Sequence, residues 1–292
     1  MSKLEKCWIC GGMDWRLFKE SSLEGIVSPD DFRITDSRYG VTGRISKCMN
    51  CGFKQVSDIT DVASFYEKLI DKDYDSNRKQ RGLQALGILK KVQECQKTGR
   101  LLDVGAASGI LLEQAAALGY NCEGVEPSKA LCEIANKIGQ KVHLGVMPHP
   151  AISGKYDVIT LIDVIEHIPN PVQLLRDIAA HLQPTGFGVL TTPNEQSLVA
   201  ALLGGRWWHY RIAHIGYFNL KTIKLALSQA GLELVSISSP PWFFSFEYAY
   251  QRAICYLPIF KNFGVPEWIK GKTIKVNFFD SMQIIFRIKK RL

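Results

Sequence analysis

The chain has 292 residues, 46% of them hydrophobic, and a formal net charge of +8. That length allows one large α/β domain carrying a small module, or two modest domains. The opening residues "MSKLEKCWIC" carry no apolar leader core. No stretch reaches the ~18 uncharged apolar residues of a membrane-spanning helix, since even "PPWFFSFEYAYQRAICYLPIF" is broken by Glu247, Arg252 and Pro258. A soluble, cytoplasmic protein is expected. Residues 1–195 hold 23 basic and 24 acidic side chains, whereas residues 196–292 hold 13 and 4. This basic, aromatic last third suits an anionic substrate, a phospholipid surface or nucleic acid, and equally a solvated basic face.

In chain order, the first signal is a pair of cysteine knuckles, Cys7-x-x-Cys10 and Cys48-x-x-Cys51, separated by 37 residues. Each would turn two thiolates toward one ion, and the set fits a structural, tetrahedral Zn2+ site with no open position. A small zinc-ribbon-like module over residues 1–60 is expected. Cys95, Cys122, Cys132 and Cys255 read as small buried hydrophobes. The loop "DFRITDSRYGVTGRISK" between the knuckles is long for a zinc ribbon. It either lies over a neighbouring active site or is a surface excursion.

Residues 61–98 read as a helical linker or lid, with a helix around 79–97. Then "RLLDVG" reads as a buried strand, "GAASG" as a turn of small residues, and "ILLEQAAALG" as a helix stopping at Gly119. A second strand, "NCEGVEPS", follows and ends in Glu126, 21 residues after Gly105. Small residues at Gly105, Ala107 and Gly109 would let a ligand approach the backbone. An acidic strand end can accept hydrogen bonds from both ribose hydroxyls. The pattern is D-x-G-x-x-x-G rather than the dinucleotide G-x-G-x-x-G. Asp103 would repel a pyrophosphate but suit a cationic nucleoside-type cofactor.

The apolar run "YDVITLID" ends in three ionisable residues, Asp163, Glu166 and His167, and burying unpaired charge there would be costly. Together, "LLDVGAASG", "GVEPS", "YDVITLIDVIEHIPNP" and "LQPTGFGVLTTPN" resemble, in order, the motifs of class I S-adenosylmethionine-dependent methyltransferases. The resemblance implies an α/β, Rossmann-like sheet of seven mostly parallel strands over residues 99–292. The antiparallel last strand, "FDSMQIIFRIKK", is expected at one edge, with substrate-cap insertions at 195–219 and 241–275. S-adenosylmethionine would lie against Asp103, Gly105, Ala106, Ala107, Gly109, Glu126, Pro127, Met147 and Asp163. In this resemblance Glu126 holds the ribose, Asp103 and Gly105 face the methionine part, and "LGVMPHP" flanks the adenine. The family usually has a glycine where this chain has Ala107.

"YDVITLID" then becomes the fourth strand. Asp163, Glu166 and His167 stand at the mouth of the site, with His167 as a candidate base. The i, i+3, i+4 spacing of these three, with His214 further on, resembles small-RNA 2′-O-methyltransferases and ubiquinone-pathway O-methyltransferases. There such a cluster can hold a divalent metal that orients the acceptor oxygens. Arg206, Trp207, Trp208, His209, Tyr210, Arg211 and His214 suit a sugar, nucleotide or aromatic ring, or else form a hydrophobic lid. A cysteine module joined to this domain also resembles bacterial sugar- and polyketide-modifying methyltransferases. The expected activity is methyl transfer to a small-molecule acceptor: a saccharide, nucleotide-sugar or related anionic metabolite, accepting on a hydroxyl or a carbon. An RNA 2′-O-methyltransferase and a non-catalytic zinc-ribbon interaction protein are the alternatives. No basic tract marks a nucleic-acid groove. The aromatic segment 241–263 could rest on a membrane and present a lipid-linked acceptor.

Overall fold

The computed structural model describes residues 6–25, 27–35, 38–59, 62–71, 74–254 and 267–290. Cys255 and residues 255–266 of the expected 241–275 insertion lie outside that set. The amino-terminal third contains β1 (Trp15–Lys19), β2 (Ile45–Cys48), β3 (Lys54–Val56), α1 (Val62–Glu67) and α2 (Arg78–Gln93). Alternating elements follow: β4 (Gly99–Val104), α3 (Ile110–Ala117), β5 (Tyr120–Glu126), α4 (Lys129–Lys137), β6 (Val142–Leu144), β7 (Tyr156–Ile162), α5 (Pro171–His181) and β8 (Leu182–Pro193). The last part holds α6 (Leu198–Leu203), β9 (Gly216–Tyr217), α7 (Leu220–Gln229), β10 (Leu232–Ser238), β11 (Trp242–Ser245), α8 (Phe246–Ile254), β12 (Thr273–Val276) and β13 (Ser281–Ile288).

The main sheet has seven strands in the order β10-β13-β8-β7-β4-β5-β6. β7, with Val158, Ile159 and Leu161 fully buried, reads as a continuous apolar run because helices cover both faces. β4 pairs in parallel with both β5 and β7, and β13 pairs antiparallel with both β8 and β10. The antiparallel last strand is therefore one position in from the edge, not at it, and β10 is the edge strand. β13 can take this inner place because Met282, Ile284, Ile285 and Phe286 are all buried, which suits a strand flanked on both sides. The helices start where short polar caps stand: Ser128 accepts the Leu131 amide before α4, and Asn170 accepts the Gln173 amide before α5.

The cysteine segment does not end at its own boundary. Its antiparallel sheet runs β1-β2-β3-β9, so the fourth strand comes from the stretch that follows α6. Lys54 pairs with Tyr217 and Gln55 with Gly216 across that seam. Packing continues across it. Cys7, Ile9, Cys48 and Phe53 share a core with Leu102 and Ile159 of the main sheet and with Phe218, just after β9. The Phe53 and Phe218 rings lie 4.9 Å apart. Trp207 and Tyr210 are buried with Phe32, Ile45 and Val56, so these two members of the aromatic run are core.

A buried ion pair fixes the seam. The Lys54 Nζ lies 2.6 Å from Glu195 Oε2, and Asn219 donates to Oε1 at 2.7 Å. The same ammonium sits 3.6 Å above the Phe18 ring. Removing one member of such a pair leaves a buried charge without a partner, at a cost of about 3–5 kcal/mol. Lys54→Met is expected to destabilise the whole protein by about 3 kcal/mol, measured by urea denaturation. Lys54→Met combined with Glu195→Gln should recover part of the loss.

Candidate active site

The carboxyl ends of β4, β5 and β7 open into one cavity of about 810 Å3. Its lining includes Asp103, Gly105, Ala106, Ala107, Glu126, Pro127, Met147 and Asp163 on one side. On the other side are Glu166, His167 and His214, and beyond them an aromatic wall. The fold thus brings together the candidate cofactor and catalytic residues except Gly109, which is not part of the lining, and of the aromatic run Arg206, Trp207 and Tyr210 are outside it too. Gly109 sits at φ +77°, and a Cβ there would lie 3.1 Å from the Ala135 Cβ and 3.0 Å from the Gln140 Cγ. Its smallness serves the approach of α3 to the end of α4, not to a ligand.

The turn between β4 and α3 is built around Glu126. Its Oε2 accepts the Ala107 amide and its Oε1 accepts the Ser128 amide, each at 2.8 Å. Ala107 has φ +46°, in the left-handed region that favours glycine. Glycine is the residue usual in the resembling family at this place. Asp163 is also left-handed, at φ +54°. Thr191 holds it by donating its hydroxyl to Oδ1 at 2.7 Å. Such strain is retained where the surroundings over-determine it.

Buried carboxyls surround this cavity. Burial pushes Asp103 up to about 7 despite the Thr160 hydroxyl donated to it at 2.6 Å. Burial likewise raises Glu126 to about 7, against the two backbone amides that favour its charge. Burial and the neighbouring Asp163 charge carry Glu166 well above the carboxylate range. Glu166 is only 1% exposed, so it is not at the mouth of the site as its place after an apolar run suggested. One of its oxygens accepts the Thr192 hydroxyl at 3.0 Å, and the other, Oε1, is buried with no partner.

Two histidines stand beside this carboxyl. Ligand atoms of Glu166, His167 and His214 all lie within 4.8 Å of one another, and Asp163 is outside this group. The Ala213 carbonyl is 2.7 Å from His167 Nδ1. A carbonyl can only accept, so Nδ1 carries the proton and Nε2 keeps its lone pair. The Tyr66 hydroxyl is also 2.7 Å from Nδ1. Burial lowers His167 to about 4 and takes His214 well below the histidine range, so both rings are neutral near pH 7. An acidic oxygen without a partner, beside a neutral imidazole ligand pair, fits a divalent cation.

The four knuckle cysteines converge as expected. Cys7 Sγ and Cys51 Sγ are 3.6 Å apart, and Cys10 Sγ and Cys48 Sγ 3.5 Å. Zinc–sulfur bonds of about 2.3 Å in a tetrahedron put neighbouring sulfurs about 3.8 Å apart. A disulfide would need about 2.05 Å. The hydrogen bond from Cys51 brings the Cys7 thiol down to about 5, while Cys51 itself is pushed up.

Two residues here, Arg81 and Tyr66, carried no signal of their own in the sequence. Arg81 of α2 lines the cavity, stands 4.0 Å from the Tyr74 ring, and has its Nε buried without a partner. Tyr66 comes from α1. Trp242, Phe244 and Tyr248 form a ladder with interplanar angles of 12° and 14° along the β11–β12 ribbon and α8. Phe32, Ile34 and Tyr39 show that the inter-knuckle loop does lie over the cavity. Of the aromatic run after α6, Trp208, His209, Arg211 and His214 face the cavity.

The profile of the methyltransferase-domain family matches residues 74–237, more than half of the chain. The chain belongs to the methyltransferase-domain family. It is a class I S-adenosylmethionine-dependent methyltransferase. Over 164 residues it is 30% identical to the ubiquinone biosynthesis O-methyltransferase of Bordetella bronchiseptica, covering 51% of this chain and 68% of that one. With the enzyme of the same description from Bordetella avium it shares 32% over 149 residues, covering 46% and 62%. Among solved structures, the complex of the Haloferax volcanii Trm112 methyltransferase activator with its methyltransferase matches at a TM-score of 0.53 and 12% identity, covering 75% of this chain and 96% of that one. A methyltransferase of Thermotoga maritima matches at 0.50 and 15%, covering 75% and 94%. The methyltransferase fold is common to both.

A pH dependence follows from Asp103. Its folded value near 7 lies above the ordinary 3.8, so the folded state holds a proton that the unfolded state has released across that window. The ligand-free methyltransferase should therefore lose stability as pH rises from about 4 to about 7. Asp103→Asn keeps the acceptor for Thr160 and should flatten that fall, checked by denaturation at pH 5 and pH 8.

Proposed function

We propose that this methyltransferase transfers the methyl group of S-adenosylmethionine to a hydroxyl oxygen of a small-molecule acceptor. One observation carries the reading: a single cavity joins the Gly105–Glu126–Met147 wall to the Glu166–His167–His214 group and the aromatic ladder. The O-methyltransferase relatives support oxygen as the atom methylated. Stacked rings and arginines suit a ring-bearing acceptor, and sugars and nucleotide-sugars are the first to screen.

Residue roles follow from placement. Glu126 is already fixed by two amides and turns its remaining lone pairs to the ribose hydroxyls. Met147 and Pro127 flank the adenine. Arg81 takes the cofactor's carboxylate, and Asp103 and Asp163 balance its sulfonium. Bound S-adenosylmethionine supplies an activated methyl on a positive sulfur, so the chain's work is alignment and proton removal. The Nε2 lone pair of His167 accepts the hydroxyl proton. The imidazolium so formed is costly in a buried place, and Glu166 beside it offsets that cost only once it has itself ionised. The acceptor oxygen bonds to the methyl carbon as the carbon–sulfur bond breaks, leaving a neutral sulfide. A divalent cation held by Glu166, His167 and His214 would instead supply a positive charge that lowers the hydroxyl's pKa.

Calorimetric titration with S-adenosylmethionine and its demethylated product tests the cofactor reading. Micromolar binding is expected, weakened about a hundredfold in Glu126→Ala, which loses both the ribose acceptor and the anchor of the turn. No binding by the folded protein would sink it. The cysteines are proposed to hold one structural Zn2+. Metal analysis should find one zinc per chain, absent in Cys48→Ser. Because the knuckles share the main core, chelation should lower a single melting transition, not remove a separate one.

A further inference from the structure

Arg81, Arg211 and Arg252 line the cavity, and none belongs to an ion pair among the described residues. The proposed reading assigns Arg81 to the cofactor. The other two come from different elements and converge on one short stretch of the inter-knuckle loop. Arg211 donates to the Arg33 carbonyl at 2.6 Å and to the Ile34 carbonyl at 3.2 Å. Arg252, on α8, donates to the next carbonyl, that of Thr35. Thr35 is itself held by Asp71, which accepts its amide at 2.9 Å and its hydroxyl at 2.7 Å. Two guanidinium groups thus face one cavity from adjacent anchor points.

Bringing like charges together without a carboxylate is unfavourable, and carbonyl oxygens satisfy only part of a guanidinium's five donors. Arg252 also lies 4.6 Å from the Tyr248 ring and 5.7 Å from the Tyr39 ring, which set the plane of its fork. The Arg211 charge is felt by Glu166, His167 and His214, so this end of the cavity adjoins the reacting end.

We propose that Arg211 and Arg252 form an anion-binding subsite that takes a carboxylate or phosphate carried by the methyl acceptor. The inference rests on the proposed reading of this cavity as a methyl-transfer site. A planar, doubly donating fork matches either anion with two parallel hydrogen bonds. The anchored carbonyls of residues 33–35 hold both forks before the acceptor arrives, which reduces the ordering cost of binding.

The test is calorimetric titration of the protein, saturated with demethylated cofactor, with inorganic pyrophosphate and separately with benzoate. At least one should bind with millimolar affinity or better, and the tighter arm tells phosphate from carboxylate. Arg252→Gln should weaken that binding about tenfold. Arg211→Lys, which keeps charge but loses the fork, should weaken it as well. Cofactor affinity in both variants should match the parent, which shows that the fold survives. Binding of neither anion, or binding indifferent to Arg252→Gln, would overturn the subsite. Failure of the demethylated cofactor to bind would instead be failure of the methyltransferase reading itself.

Discussion

Everything around the cavity is arranged by the cost of burying carboxylates. Asp103, Glu126, Asp163 and Glu166 come from the ends of neighbouring strands and the turns after them, and all face one space. Each has hydroxyl or amide donors, and burial still pushes each upward. The left-handed turns at Ala107 and Asp163 are tolerated because these carboxyls fix the adjoining backbone. A ligand bearing positive charge completes such a site, and a sulfonium cofactor does so without a metal's demand for a full coordination sphere.

The second organising feature is the seam between the cysteine segment and the rest. Val56 donates its amide to Ile215, and Ile215 donates its amide to Glu166. A single residue, Ile215, therefore bridges the knuckle sheet and the buried acid, and His214 stands immediately before it. The cysteine segment supplies part of the cavity's roof through Phe32, Ile34 and Tyr39 and part of its backing through β3. It is a wall of the site as well as a structural appendage.

Much of this was readable in the chain. Strand–turn–helix periodicity and the spacing of Gly105 to Glu126 reflect local constraints, so they survive as sequence patterns. The knuckle spacing is equally local. What could not be read depends on distant partners. Gly109 resembles a ligand-facing glycine until α4 is seen against it. Trp207 and Trp208 are neighbours in sequence, yet one is core and the other faces the cavity, because each packs against a segment far away in the chain. The inner position of β13 needs both β8 and β10 to be known. Arg81 and Arg252 are two arginines among many, and only the fold shows that they line the cavity beside Arg211.

The β3–β9 pairing also bears on how the chain is made. Residues near 55 cannot complete their sheet until residues near 216 have been synthesised. At 5–20 residues per second that is a delay of roughly ten to thirty seconds. During it, β3 presents an open hydrogen-bonding edge, and the face of Phe53 that Phe218 will cover lies bare. A four-cysteine cluster that gathers early would hold the two knuckles together through that interval, before any long-range contact can form. The closed coordination proposed for it would then be as much a safeguard during biosynthesis as a brace in the finished fold.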